Sequence, residues 1–541
     1  MRKVVTIAVL AALAALLILE AGLSLQWRMV HDAPLLAYMA YGMTHLGYSP
    51  YVDFFDMNAP GAYSFHALVG RVFGYGDLGF RIADLVWLAG LSLITWLALR
   101  RFGTRVALGA VVLFGLVYLG TGPDMSLQRE FVALLPVAAA VLVATTGGGA
   151  AGAARWLLVG LLFGVAATVK PAMLVGLPAV LAFGLLDARF SEGVGARAAA
   201  RSLALLALGL LFAVAVMVLA LARMGSLPAF FDVARNYWPL YGALSRTHET
   251  VPEASRFAYL AGEWVRLGGR AVWLLPAVAG AFAVLCGDRL RGPDKRRVLL
   301  LAALVISYSA YPLFAGKFWT YHWLPFSYFV VALASLALAD TRGWRKLAWV
   351  PPLALLVAVA IDVRPPEEFG HQLRGEEWLD PRVTRAERIA GFLEENLRPG
   401  DTVQPLDWTG GAVHAMLIAR APLATPFIYD FHFNHHVSTD YVQGLRARML
   451  DEMTKDPPRY VIQVETMRPW VTGEDTDRRF VELDRLLAAR YHKASAGFGY
   501  RVLELGAPVG PESGQNPDER ATERHPSSDG RPRRAGSARQ F

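Results

Sequence analysis

Apolar residues run in long unbroken blocks through the first two-thirds of the chain and in short groups broken by charge after it. The first block follows Arg2 and Lys3 and lasts to about Gln26. That is long enough to cross a bilayer at roughly 20 residues per span and longer than the apolar core of a cleavable signal peptide. It is therefore read as an uncleaved first helix. Further blocks at 81–99, 105–121, 129–146, 154–169, 171–186, 202–223, 269–288, 297–315, 321–339 and 345–361 each predict a spanning helix. Lys170-Pro171 sits between two of them, where proline either separates two spans or kinks one long helix.

Beyond about residue 375 the pattern changes to helix (382–396), strand (401–407), helix (410–419), helix (439–455), strand (459–464), helix (478–490) and strand (499–504). Gly400-Asp401 and Pro457-Pro458 supply the breaks before strands. The expected fold class is thus an all-α polytopic membrane domain of about 11 helices with a C-terminal α/β domain outside the membrane. The expected boundaries are 1–365 for the membrane domain, with outer loops at 27–80 and 225–268, and 375–505 for the α/β domain. Residues 506–541 hold Pro, Gly, Ser, Arg and Glu with almost nothing to bury, which predicts a disordered tail. No internal repeat of the kind that builds inverted-repeat transporters is evident.

Composition sharpens this picture. Of 541 residues 55% are hydrophobic and 18% charged, against about 25% charged in a soluble domain, which excludes a cytosolic enzyme or a disordered regulator. Cys286 is the single cysteine, so no internal disulfide and no cysteine-rich metal site can form. The net charge of +8 does not point to nucleic acid, because the basic residues fall in short turns between apolar blocks. Arg100, Arg101 and Arg105 share one turn; Arg189, Arg197 and Arg201 another; Arg289, Arg291, Lys295, Arg296 and Arg297 a third; Arg342, Arg345 and Lys346 a fourth. With eleven helices all four fall on the side of Arg2 and Lys3, which the positive-inside rule makes cytoplasmic. The expectation is a multi-pass protein of the cytoplasmic (inner) membrane, N-terminus inside and C-terminal domain outside.

Chemistry concentrates in the first outer loop. His31-Asp32-Ala33-Pro34 leads into a short amphipathic helix expected over Leu35–Leu46, with Tyr38, Met39 and Tyr41 suited to an interface. Gly47 ends it, and the string from Tyr48 to Gly61 follows, carrying Asp53 and Asp56. Asp32 has a structural role open to it as N-cap of that helix. A carboxylate fixed at a helix start, where water meets lipid, is also well placed to act as a base.

Asp32 after the first helix, the string Gly47, Pro50, Tyr51, Asp53, Phe54, Phe55, Asp56 and the Pro60-Gly61 turn resemble integral-membrane glycosyltransferases of the GT-C fold. The narrower likeness is to the protein mannosyltransferase, aminoarabinose transferase and Rgt-type group. It continues through Phe73-Gly74, Arg81, Gln128-Arg129-Glu130, Lys170-Pro171, Gly316-Lys317 and Tyr321-His322, over roughly residues 1–345. The resemblance implies transfer of a sugar from a polyprenyl-phosphate donor to a glycan, lipid or protein acceptor on the outer face, with inversion. It places the catalytic aspartate at Asp32 and a second acidic position at Asp53 or Asp56. The chain differs from many relatives in having Ala33 where they have Glu and Asn58 where they have Lys.

The residues themselves support that chemistry. A hydroxyl attacking an anomeric carbon needs a base, for which a carboxylate serves. A lipid phosphate leaves readily and needs positive charge rather than an acid. Arg81, Arg129, Lys170, Lys317 and His322 are the donor-phosphate candidates, near the expected outer ends of helices. Arg81 could instead snorkel, Arg129 could pair locally with Glu130, and Lys317 and His322 could belong to an aromatic belt with Phe318, Trp319 and Tyr321. His432, His435 and His436, with Asp430 alongside, have spacing that can bind metal but read as surface loop histidines. No protein metal site is assigned, no cofactor is certain and participation of a divalent ion stays open. A transporter, or an envelope-glycan polymerase or ligase outside the GT-C class, are the alternatives.

Overall fold

The computed structural model describes residues 2–146, 152–192, 196–243, 255–265, 270–287, 292–315, 317–340, 349–376, 380–465, 471, 474–477 and 479–506. The tail beyond 506, the turn with Arg342, Arg345 and Lys346, and Arg289, Arg291 and Gly316 lie outside the described residues.

Helix fills every expected span among the described residues. The first part of the chain holds α1 (Arg2–Ser24), α2 (Ala33–Tyr41), α3 (Pro60–Phe73), α4 (Asp77–Leu99), α5 (Thr104–Leu119), α6 (Arg129–Thr145), α7 (Gly152–Val169), α8 (Leu177–Glu192) and α9 (Ala196–Arg223). Val4, Val5, Ile7 and Ile18 on α1 and Leu208, Leu211 and Phe212 on α9 point outward, an apolar exterior that suits lipid. Thr320–Leu338, in contrast, is enclosed by its neighbours. α7 and α9 approach through glycines. A methyl group at Gly160 would sit 1.9 Å from the Leu206 carbonyl oxygen, and one at Gly209 2.1 Å from that of Leu157. Small residues permit such backbone contact between spans.

The chain breaks at Lys170. α7 ends at Val169, Lys170 is extended (φ −149°, ψ 100°), and a 3₁₀ turn over Pro171–Gly176 leads into α8. Pro171 disfavours helix at the residue before it, so two elements form rather than one kinked rod.

Two expectations for the segment between α1 and α4 are corrected. The element at 35–46 is a regular helix only to Tyr41, followed by a π-turn over Gly42–Leu46 that Gly47 ends at φ 76°. Ala33–Ala40 are all buried, and the Tyr38 hydroxyl donates to the Ala421 carbonyl at 2.6 Å. The helix is clamped by the C-terminal domain rather than lying on lipid. Pro60-Gly61 opens a 14-residue helix, not a turn. Proline is well tolerated at the first helical position, and Gly61 lets the helix start approach Thr168 of α7. Leu68, Val72 and Phe73 are exposed on α3, so this helix carries the apolar outer face.

The C-terminal domain is a four-stranded sheet of β1 (Val403–Leu406), β2 (Tyr460–Val464), β3 (Tyr491–Gly497) and β4 (Tyr500–Leu505) in the order β1-β2-β4-β3. β1 and β2 are parallel and the other pairs antiparallel. β3 is absent from the sequence reading, because it follows the helix Val481–Arg490 with no breaker between and holds no β-branched residue. Asp407, after β1, accepts from the backbone N–H groups of Trp408 (2.7 Å), Gly410 (3.0 Å) and Ala412 (3.0 Å) and so ties the strand to the helix Ala412–Ala419. Asp407→Ala leaves three backbone donors, two of them buried, without this acceptor. It is expected to destabilise the domain by about 2 kcal/mol, read as earlier thermal unfolding and faster proteolysis of the domain in the detergent-solubilised protein.

Candidate active site

The site gathers at the α1–α2 connection, the start of α6, the break after α7 at Lys170 and the 317–323 segment. After α1, His31 takes a left-handed conformation (φ 58°) and Asp32 begins α2. Asp32 occupies the N-cap position, yet its side chain makes no capping hydrogen bond. One carboxylate oxygen instead meets the Arg129 guanidinium at 2.5 Å, and the other lies 3.2 Å from His31 Nδ1. Arg129 also donates to Asn58 Oδ1, and its guanidinium stands 5.5 Å from the centre of the Tyr321 ring. Burial raises the affinity of Asp32 for a proton, but His31 and Arg129 outweigh it and hold the carboxyl well below the usual range.

The neighbouring Glu130 points elsewhere, since adjacent helical residues do not share a face. It is fully buried, and its Oε1 accepts from the Tyr311 hydroxyl (2.8 Å) and faces Lys170 Nζ (3.1 Å) and His322 Nε2 (3.5 Å). His322 Nδ1 lies 2.8 Å from the Lys317 carbonyl. Lys317 Nζ donates to the Tyr241 carbonyl at 2.8 Å and sits 3.1 Å from the centre of that ring. Burial first, and then Lys170, Arg256 and Arg129, push the Lys317 ammonium well below the usual lysine range. Arg129, Lys170 and Lys317 thus share one region with two carboxylates, and an anion placed there would favour their charged forms.

The structure brings Asp32, Arg129, Lys170, Lys317 and His322 together. Arg81 is placed apart from them. It is wholly buried, 3.6 Å from Asp84, donating to the carbonyls of Trp27 (3.4 Å) and Arg28 (3.0 Å) and to Ser126. It thus anchors the strand of chain entering Asp32. Asp53 accepts from the Ser49 N–H at 2.7 Å and closes its own loop. Asp56 is buried and accepts from the Tyr63 hydroxyl (2.5 Å), the Tyr429 hydroxyl, and Asn58 N (3.1 Å) and Nδ2 (2.7 Å). It reaches Arg129 through Asn58, so of the two acids in this string Asp56 is the one coupled to the cluster.

Sequence reasoning did not anticipate Glu130 as the meeting point of Lys170, His322 and Tyr311; a local pair with Arg129 stood in its place. The signal available was an acid in the first turn of an apolar helix. Tyr241 and Tyr311 carried no sequence signal at all. The histidine cluster is also relocated: His432 and His435 are buried rather than on the surface. His432 Nδ1 meets the Tyr237 hydroxyl at 2.6 Å and His436 Nε2 the Leu240 carbonyl at 2.8 Å, both in the segment 227–243. Among the described residues no three His, Cys, Asp or Glu side chains are grouped to hold a metal ion.

Backbone strain marks the same places. Of six described non-glycine residues at positive φ, His31, Leu127, Tyr51 and His436 flank Asp32, Arg129, the Asp53–Asp56 loop and His435. Such conformations cost about 1–3 kcal/mol and gather at functional sites.

No family model matches the chain, and no curated protein does. Solved structures do. ArnT from Cupriavidus metallidurans bound to undecaprenyl phosphate aligns with a TM-score of 0.57 at 14% identity, over 91% of this chain and 97% of that one. The archaeal oligosaccharyltransferase AglB from Archaeoglobus fulgidus, in complex with an inhibitory peptide and a dolichol-phosphate, aligns with a TM-score of 0.46 at 15% identity, over 86% and 70%. Agreement with ArnT along nearly the full length of both chains establishes that this chain has the GT-C fold, a helical membrane domain joined to a small C-terminal α/β domain.

Proposed function

We propose that the protein is a membrane glycosyltransferase that moves a sugar from a polyprenyl-phosphate donor to an acceptor hydroxyl, with inversion, and that Asp32 is the base. The observation that carries this reading is the buried carboxylate of Asp32 held at 2.5 Å by Arg129, with Lys170 and Lys317 alongside. The ArnT structure of the same fold was solved with undecaprenyl phosphate, which supports a polyprenyl phosphate as the ligand of those cations.

In the reaction the acceptor oxygen attacks the anomeric carbon from the face opposite the phosphate. The bond from that carbon to the phosphate oxygen breaks, and its electron pair leaves with the lipid phosphate. The hydroxyl proton passes to Asp32. Arg129, Lys170 and Lys317 offset the charge that develops on the leaving phosphate. Because Arg129 also holds Asp32, an anion drawing on that guanidinium weakens its grip on the carboxylate and makes Asp32 more basic at the moment a base is needed.

The site lies on the outer face in this proposal. Arg101 and Arg297 both donate to the Thr145 carbonyl, at 3.4 and 2.8 Å, at the far end of α6 from Arg129. Seventeen helical residues separate the two ends, roughly 25 Å at 1.5 Å per residue. If those arginines face the cytoplasm, the site opens outward.

Asp32 has a depressed pKa, so its pairing stabilises the fold above the unfolded value of about 3.9 and that contribution is lost as pH falls through the folded value. The acid limb of turnover is accordingly expected below the ordinary aspartate range, to be measured as a pH–rate profile between about pH 3 and 8. The deciding experiment is incubation of the purified protein in nanodiscs with radiolabelled polyprenyl-phosphate sugars and candidate acceptors. A glycoside of inverted anomeric configuration is expected; a retained configuration, or ion flux without transfer, overturns the reading.

A further inference from the structure

Buried polar atoms in proteins nearly always find partners, and the exceptions mark strain or a ligand's place. His435 is such an exception. It is 4% exposed, and neither ring nitrogen has a hydrogen-bond partner among the described residues. Its sequence neighbours His432 and His436 both spend a ring nitrogen on the 227–243 segment. His435, between them, does not.

Its surroundings connect it to the site. The ring packs on Phe431, 4.7 Å between centroids, and Phe431 packs edge-on against Tyr241 at 6.0 Å. Tyr241 is the residue whose carbonyl and ring hold Lys317. The left-handed conformation of His436 (φ 49°) fixes the chain immediately after it. From the membrane side Glu130 Oε2 and Arg129 Nε are likewise buried without a partner among the described residues. Unpaired polar atoms thus border the Lys317–Tyr241 pair from the outer domain and from the spans alike. A phenylalanine at 435 would stack on Phe431 equally well, so packing alone gives no reason for two nitrogens in this place.

Chemistry decides what the ring can bind. Burial, then His436 and Lys317, push the pKa of His435 down to about 3, so the ring is neutral at any working pH. A neutral imidazole offers one N–H donor and one lone pair. A phosphate presents acceptors only and is served by the cations. A sugar hydroxyl both donates and accepts. The anomeric phosphate of the donor is bonded directly to the sugar ring, so a sugar whose phosphate meets Lys317 has its hydroxyls within a ring's width of that lysine.

We infer that His435, a residue of the outer domain, binds a ring hydroxyl of the donor sugar and so takes part in selecting which sugar is transferred. This rests on the proposed use of a polyprenyl-phosphate sugar. The test is steady-state transfer with a panel of polyprenyl-phosphate hexoses and pentoses and their monodeoxy analogues, for wild type, His435→Phe and His435→Gln. In the wild type one monodeoxy donor is expected to lose about tenfold in kcat/KM, as loss of one neutral hydrogen bond would give. In His435→Phe the donor KM is expected to rise about tenfold with kcat within about twofold, and that monodeoxy donor is expected to lose no more. His435→Gln, which keeps a donor and an acceptor, is expected to recover part of the discrimination. A rise in acceptor KM instead, or full discrimination kept in His435→Phe, overturns the inference while leaving the proposed function standing. If His435→Phe does not fold, His435→Gln with no change in donor discrimination against wild type overturns it likewise. Absence of transfer by the wild type with every donor overturns the proposed function and this inference together.

Discussion

Asp32→Asn is expected to lower turnover by about 10²–10⁴-fold, the usual worth of a positioned general base, while donor binding changes little. The substitution keeps the shape of the side chain and one hydrogen-bond acceptor toward Arg129. Arg129 retains Asn58 and the Tyr321 face, so its charge stays available to a phosphate. Single-turnover transfer in nanodiscs, beside equilibrium binding of the labelled donor, separates the two quantities. Full turnover in Asp32→Asn would end the assignment of the base. Loss of donor binding with an unchanged rate of the bound complex would make Asp32 a structural anchor of Arg129 instead.

Arg129→Lys is expected to cost at least about 100-fold in kcat/KM, although charge is conserved. The guanidinium contacts Asp32, Asn58 and the Tyr321 ring at once. An ammonium is a point charge without that planar fork. Arg129→Met goes further and leaves Asp32 buried with His31 as its one close charged partner among the described residues. Breaking a buried pair from one side costs about 3–5 kcal/mol, which is read as a lower melting temperature. The sign on pH is also set. Arg129 is among the groups that hold the Asp32 pKa down, so its removal shifts the acid limb of any residual activity upward. A limb that stays in place, with donor KM alone altered, would show that Arg129 serves the phosphate and not the base.

The spans were legible because length and unbroken apolarity are local properties of the chain, and α1 and α4 through α9 follow from them. Asp32 was legible for the same reason, as an acid where an apolar block ends. The partners of Glu130 were not, because Tyr311 lies 181 positions away and meets it only after packing. Adjacent opposite charges at Arg129 and Glu130 suggested a local pair, whereas successive helical side chains diverge. α3 was hidden by a proline–glycine opening that reads equally as a turn. β3 was hidden because nothing in the sequence separates Arg490 from Tyr491. The histidines near 432 read as surface residues because the segment that covers them, 227–243, is some 200 positions earlier in the chain.

The C-terminal domain is fastened to the segment between α2 and α3 at several points. Leu423 N donates to the Tyr48 hydroxyl at 2.9 Å, Phe55 N to the Pro426 carbonyl at 2.7 Å, and the Tyr429 hydroxyl to Asp56. A chimera that grafts a foreign C-terminal half onto these helices would therefore arrive without the matching seam. Any such exchange has to carry residues 48–57 along with the transplanted half, and a chain trimmed after the last helix would lose the lock on the very loop that steadies Asn58.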